Sequence, residues 1–250
     1  MTAVEQYTDP YLRIYRWVPP HGAGVCIVCH SGPNQDYSTC YSCQVTRGQV
    51  RHPATAVLPI SLYEVSGQYW HVLRYYKDHH LPAVRAQLAT IVAATIARFT
   101  HRHWPCSTTM LGGDPTVVTT VPSTRLAARS GEHPLVAVVR RSSRLAGLHS
   151  TLLTRGPGRV GSQQASDDAF LACTDLRDHR VLLIEDTFTS GARAQSAASA
   201  LRLAGASAVA LVSAGRVVRP DWNENCQQIW RYACAAEFSF ETCAVCTPRT

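Results

Sequence analysis

The stretch Val181-Leu-Leu-Ile-Glu-Asp-Thr-Phe-Thr-Ser-Gly191 constrains the fold more than any other part of this chain. Its unbroken aliphatic start predicts a strand buried on both faces, the signature of a parallel sheet rather than a half-solvated one. Glu185 and Asp186 follow at the strand's end, then a hydroxyl-rich turn closed by Gly191. Ala194, Ala197, Ala198, Leu201 and Ala204 recur at helical spacing beyond it, and Gly205 supplies a stop. Open α/β sheets bind ligands at the carboxyl ends of their strands. A turn that opens a helix gathers unpaired N–H groups and the positive end of the helix dipole, which favours phosphate.

The same alternation recurs along the chain. Thr116–Val121 is β-branched and reads as a buried strand ending in Pro122-Ser123-Thr124-Arg125. Val136–Val139 and Ser207–Ser213 read as further strands, and Val57–Glu64, interrupted by Pro59, as an edge strand. Helices are expected over Leu145–Leu153 and over Pro82–Phe99, whose Val84, Leu88, Ile91, Val92, Thr95 and Ile96 share one face. Strands alternating with helices give an α/β fold, a mostly parallel sheet flanked by helices. Residues 51–217 would form this domain, 1–50 a small N-terminal unit and 218–250 a cysteine- and aromatic-rich extension.

The ten cysteines are informative through spacing. Cys26-Ile-Val-Cys29 and Cys40-Tyr-Ser-Cys43 are two Cys-x-x-Cys knuckles joined by a loop with the turn formers Gly32, Pro33 and Asn34. This is the spacing of a four-thiolate zinc ribbon; an iron–sulfur cluster or incidental buried cysteines are the alternatives, and the tight spacing favours zinc. Such a zinc is structural, because four thiolates leave no position for water. A third knuckle, Cys243-Ala-Val-Cys246, can combine with Cys226 and Cys234 into a second zinc site, or all four can pack as small apolar residues. His101-Arg-His103-Trp-Pro-Cys106 reads as a loop with no clear chemistry.

The formal net charge is +7, almost entirely arginine, with Lys77 the single lysine. A basic balance suits phosphate-bearing partners, small or polymeric; no dense basic run with interleaved aromatics favours nucleic acid. Met1–Arg16 lacks the apolar core of a signal peptide, and Leu88–Ala97 is too short to span a bilayer. A soluble cytoplasmic protein with reduced thiols is expected.

Trp70–His80 mixes aromatic and basic residues: a packed helix end, or one from which Arg74 and Lys77 reach a phosphate. Histidines 79 and 80 diverge on a helix and rarely chelate alone. Thr154–Asp168 is glycine-rich and aperiodic, either a connector or a mobile lid closing over an anion through Arg155, Arg159 and Gln163. Trp222, Phe238 and Phe240 are core residues or a stacking platform for a planar base.

Val181–Arg193 resembles the phosphoribosyl pyrophosphate (PRPP) signature of type I phosphoribosyltransferases. The four-cysteine ribbon, the Leu73–Lys77 segment, the Val118–Pro122 strand end and the Gln163…Asp168-Ala-Phe170 stretch are similar to the ComF-like branch, so the likeness runs from about residue 24 to 217. The resemblance implies the type I phosphoribosyltransferase fold. It also implies that Glu185 and Asp186 hold the ribose hydroxyls and that Thr187, Phe188, Thr189, Ser190, Gly191 and Ala192 wrap the 5′-phosphate. Pro122, Ser123, Thr124 and Arg125 would form the pyrophosphate loop, with Arg125 joining the two acids in catalysis, and Mg²⁺ would arrive with PRPP. Thr189 stands where 6-oxopurine-specific members carry an acid, which argues against hypoxanthine or guanine as acceptor. Glu132-His133-Pro134, after Arg129 and Gly131, departs from the ComF-like pattern. The implied activity is phosphoribosyl transfer from PRPP to a nitrogen acceptor, a base or an amine. The alternatives are a non-catalytic PRPP-binding regulator and an accessory factor in DNA uptake. The resemblance leaves a homodimer open.

Overall fold

The computed structural model describes residues 3–123 and 133–247. In chain order the elements are α1 (Ala3–Thr8), a 3-10 turn over Asp9–Ile14, α2 (Tyr41–Gly48), β1 (Ala56–Tyr63), α3 (Gln68–Asp78), α4 (Pro82–Arg102), α5 (Trp104–Leu111), β2 (Val117–Thr120), α6 (Pro134–Val139), α7 (Ser143–Leu148), β3 (Leu153–Arg155), β4 (Phe170–Ala172), β5 (Arg180–Phe188), α8 (Ala192–Leu203), β6 (Ala208–Val217) and α9 (Glu224–Ala235).

Four strands form a parallel sheet in the order β1-β6-β5-β2. The aliphatic run of β5 is central and buried throughout, as its composition demands. Alternation along it divides the core in two. Leu182 and Ile184 join Leu58, Ile60 and Val212 on the face covered by α3 and α4. Val181 and Leu183 join Val209 and Leu211 on the face covered by α8, where the ribbon cysteines also pack. Each such aliphatic side chain contributes about 1.5–3 kcal/mol on burial. The alanines of α8 let that helix lie close on the sheet.

β1 is an edge strand, which explains why Pro59 is tolerated in it. At its carboxyl end the Leu62 N–H donates to the Arg16 carbonyl at 3.1 Å, so that part of the edge is covered.

The structure corrects three expectations. His101–Cys106, expected as a loop, ends α4 and opens α5, with only His103 between the two helices. Val136–Val139 belongs to helix α6, not a strand. Pro134 at the first helical positions presets φ, and His133 caps the helix by accepting from the Leu135 N–H at 3.2 Å; burial of Leu135, Val136, Val138 and Val139 overrides their strand propensity. The helix expected to reach Leu153 stops at Leu148, because His149 bridges to Val118 of the sheet and Leu153 begins the β3–β4 hairpin.

The 220s fold back onto the ribbon. The Cys226 thiol donates to the Gly32 carbonyl at 3.3 Å, the Asn225 amide to the Pro33 carbonyl at 2.9 Å, and the Asn223 amide to Asn34 Oδ1 at 3.0 Å. Gly32 lies so close to the start of α9 that a Cβ there would sit 2.3 Å from the Cys226 nitrogen. Only glycine fits this contact.

Candidate phosphate and thiolate sites

The turn from β5 into α8 is built as its sequence predicts. Gly191 caps α8 with φ +85°, and a Cβ at that position would sit 2.5 Å from the Phe188 ring. The first turn of α8 leaves N–H groups without intrahelical acceptors, beside the exposed Thr189 and the half-buried Thr187 and Ser190. Phe188 and Ala192 are buried beneath the turn.

Successive residues on a strand point to opposite faces, so the two acids have different neighbours. Glu185 meets Arg193 of α8 at 3.1 Å. Asp186 faces α3, where it accepts from the Tyr76 hydroxyl at 2.6 Å and from Lys77 Nζ at 2.5 Å. Both carboxylates are buried. Burial pushes the Glu185 pKa up to about 7, although Arg193 opposes the rise. Burial also acts to raise Asp186, but Lys77 and Arg193 outweigh it and hold that carboxyl well below the usual range. Neighbouring acids are thus set apart in proton affinity, as paired functional carboxylates are.

Glu185 therefore has a signature in stability. Its folded value lies above its unfolded one, near 4.5. As pH rises through that interval, the unfolded chain releases a proton that the folded chain retains, and stability falls by about 3 kcal/mol. Glu185→Gln is expected to lack this fall. Urea unfolding of both proteins at pH 5 and pH 8 measures it, and a wild-type-minus-variant difference that is the same at both pH values would refute it.

Lys77 reaches an acid of the turn, whereas Arg74 pairs with Asp78 at 3.4 Å within α3. His79 and His80 stack on each other with centroids 4.5 Å apart. A cavity of about 540 Å³ opens beside Tyr76 and Lys77, with Arg85 and Arg141 in its wall and Pro82 and Pro134 at helix starts around it. His133 is near enough for Asp186 and Lys77 to act on its charge, and burial lowers its pKa. Of the second expected loop, Pro122 and Ser123 stand half-buried at the end of β2; Thr124 and Arg125, like Arg129 and Gly131, lie outside the described residues.

The segment expected as a lid links the two arms of the β3–β4 hairpin. The Ala165 N–H donates to Gln49, the Ser166 N–H to Ser196 of α8, and Asp167 pairs with Arg51 at 2.9 Å. Arg155 donates to the Ala169 carbonyl and lies over the Phe170 ring. Arg159 is exposed, and Gln163 reaches Ser42 of α2 at 3.4 Å.

Among the described residues, two groups can hold a metal ion. Cys26, Cys29, Cys40 and Cys43 bring four sulfurs within 4.8 Å of one another. The Cys29–Cys40 separation is 3.7 Å, and across the two knuckles the Cys40 N–H donates to Cys26 Sγ at 3.3 Å. Tetrahedral Zn–S bonds of about 2.3 Å require S–S edges of about 3.8 Å, so the residues fit zinc.

Arg216 connects this group to the β5–α8 turn. Its buried guanidinium donates to the Thr189 carbonyl at 2.7 Å and the Phe188 carbonyl at 3.3 Å. Burial would lower its pKa, but the sulfurs of Cys29, Cys40 and Cys43 raise it above the ordinary value. A four-thiolate zinc centre would carry excess negative charge, and Arg216 is placed to offset it. Thr46 of α2 adds a bond to the Ser190 carbonyl at 3.3 Å.

The second group corrects the expected ligand set. Cys243 and Cys246 gather with His103 and Cys106, not with Cys226 and Cys234. Cys226 is committed to Gly32, and Cys234 is exposed on α9. His103-x-x-Cys106 is itself a knuckle spacing, and that signal would have found the pair. Phe238 and Phe240 are core residues packed on Tyr15, with centroids 5.0 and 5.6 Å away, while Trp222 is exposed.

Among the described residues, no helix is long and apolar enough to cross a membrane. No protein-family model matches the chain, and no curated protein matches it.

Proposed function

We propose that this chain is a type I phosphoribosyltransferase of the ComF-like kind, which binds PRPP at the β5–α8 turn and transfers its phosphoribosyl group to a nitrogen acceptor. The observation that carries the reading is the turn itself. Two buried carboxyls of unlike proton affinity lie toward the carboxyl end of a central parallel strand, and a glycine-capped hydroxyl turn then opens a helix.

In this reading the turn's N–H groups and the α8 dipole neutralise the 5′-phosphate. Glu185 and Asp186 accept hydrogen bonds from the ribose diol and lie near the positive charge that develops at C1. The acceptor nitrogen forms a bond to C1 with inversion as the C1–oxygen bond to pyrophosphate breaks, and the pair of electrons leaves with pyrophosphate. Catalysis then rests on positioning and electrostatics. The cavity beside Tyr76 and Lys77 gives the acceptor room, and Arg85 and Arg141 favour an acceptor bearing negative charge.

Zinc in the Cys26–Cys43 ribbon would be structural. Mg²⁺ fits as a companion of the donor, since Glu185 and Asp186 each already face a cation and form no carboxylate cage of their own. Bound to the pyrophosphate, it would offset charge on the leaving group.

The test is incubation with PRPP, Mg²⁺ and a panel of bases and amines, read as pyrophosphate release, beside calorimetric titration of PRPP alone. Release with at least one acceptor is expected. Tight binding without release across a broad panel would make the chain a PRPP-binding regulator, and no binding would overturn the site.

A further inference from the structure

We propose that His103, Cys106, Cys243 and Cys246 form a second, structural zinc site that locks the C-terminal extension onto the junction of α4 and α5. The geometry is that of a tetrahedron awaiting its centre. Cys243 Sγ lies 3.6 Å from both Cys106 Sγ and Cys246 Sγ. His103 Nδ1 lies 3.8 Å from Cys106 Sγ and 3.7 Å from Cys246 Sγ. Zinc with three sulfurs at about 2.3 Å and one nitrogen at about 2.0 Å needs edges of about 3.5–3.8 Å. A disulfide needs sulfurs about 2.05 Å apart, so none of these pairs is one.

Two details support the site. The Cys243 N–H donates to Cys246 Sγ at 3.3 Å within the knuckle. His103 Nε2 lies 3.0 Å from the Phe240 carbonyl, which fixes the ring with Nδ1 toward the sulfurs. Metal-bound histidines are oriented by such a bond from the other ring nitrogen.

The position explains the role. Phe238 and Phe240, just ahead of the knuckle, pack into the core with Tyr15, and the Arg98 guanidinium lies over the Phe240 ring. Arg102 at the end of α4 pairs with Glu241 at 2.7 Å. The tail is thus laid across the helical layer, and the metal would tie its last turn there. Four protein ligands leave no open position, so the site has no catalytic step. Cys106 and Cys243 belong to the core on one face of the sheet and the ribbon cysteines to the core on the other, so the two centres brace opposite layers. Binding converts three thiols to thiolates and releases their protons.

Metal analysis of the full chain, purified without chelator, is the test, and it is independent of PRPP binding. Two zinc ions per chain are expected. Zinc-edge X-ray absorption on the wild type should show imidazole nitrogen in the averaged shell, seven sulfurs to one nitrogen over both sites. Cys243→Ser with Cys246→Ser should retain one zinc, and Cys226→Ser with Cys234→Ser should retain two. One zinc in the wild type, an all-sulfur shell, or loss of the second zinc only in the Cys226/Cys234 variant would overturn the proposal. The wild-type measurements stand even if the cysteine variants do not fold.

Discussion

Asp186→Asn is expected to abolish PRPP binding and to lower stability by about 3–5 kcal/mol, the range for removing one partner of a buried ion pair. Asp186 accepts from Tyr76, Lys77 and Thr187 at once. An amide in its place offers one oxygen instead of two and leaves the Lys77 ammonium without its carboxylate. The carboxyl is ionised in the fold below its usual range. Its stabilising contribution is therefore present above the unfolded value, near 3.8, and is lost as pH falls through the lower folded value. Calorimetry with PRPP and urea unfolding measure the two effects. Combining Asp186→Asn with Lys77→Met removes both charges, which restores much of the stability but not binding. Undiminished PRPP affinity in either protein would show that the donor binds elsewhere.

Cys29→Ser should be felt well beyond the ribbon. It is expected to remove one zinc, lower Tm by about 10 °C, and weaken PRPP binding by about tenfold. The first effect follows from ligand loss. The second corresponds to about 3–5 kcal/mol at about 2–4 °C per kcal/mol for a chain of this size. The third follows from Arg216, which would lose the thiolates that balance its charge while still holding the carbonyls of Phe188 and Thr189. Cys173→Ser, at an exposed thiol, should do none of this. Full PRPP affinity in a Cys29→Ser protein that has lost the ribbon zinc would separate the ribbon from the β5–α8 turn.

The parts of this molecule that were legible in sequence are those where local chemistry alone dictates the answer. β5 announces itself because a strand buried on both faces must be aliphatic throughout. The ribbon does so because a knuckle is a contact between near neighbours. α6 was misread because its β-branched residues look like a strand until Pro134 and the His133 cap are given their due. The second thiolate group was assembled from the wrong cysteines because proximity in sequence was taken for proximity in space. Cys243 is carried to Cys106 by the burial of Phe238 and Phe240, a long-range event with no local mark. For Lys77 the sequence offers a packed helix end or a reach toward phosphate, and only the packing of α3 over β5 shows that it meets Asp186. Arg216 was missed altogether, since nothing around it in the sequence indicates a buried cation.

The contact between Gly32 and α9 also sets an order of events during synthesis. Its two sides are 194 residues apart in the chain. At about 5–20 residues per second, the ribbon emerges about 10–40 s before the helix that covers it. All four of its sulfurs are made within one short segment, so its metal can be taken up while that face is still bare. α9 then arrives as a cover for a centre that can already hold a metal, so the order of translation lets metal uptake precede closure.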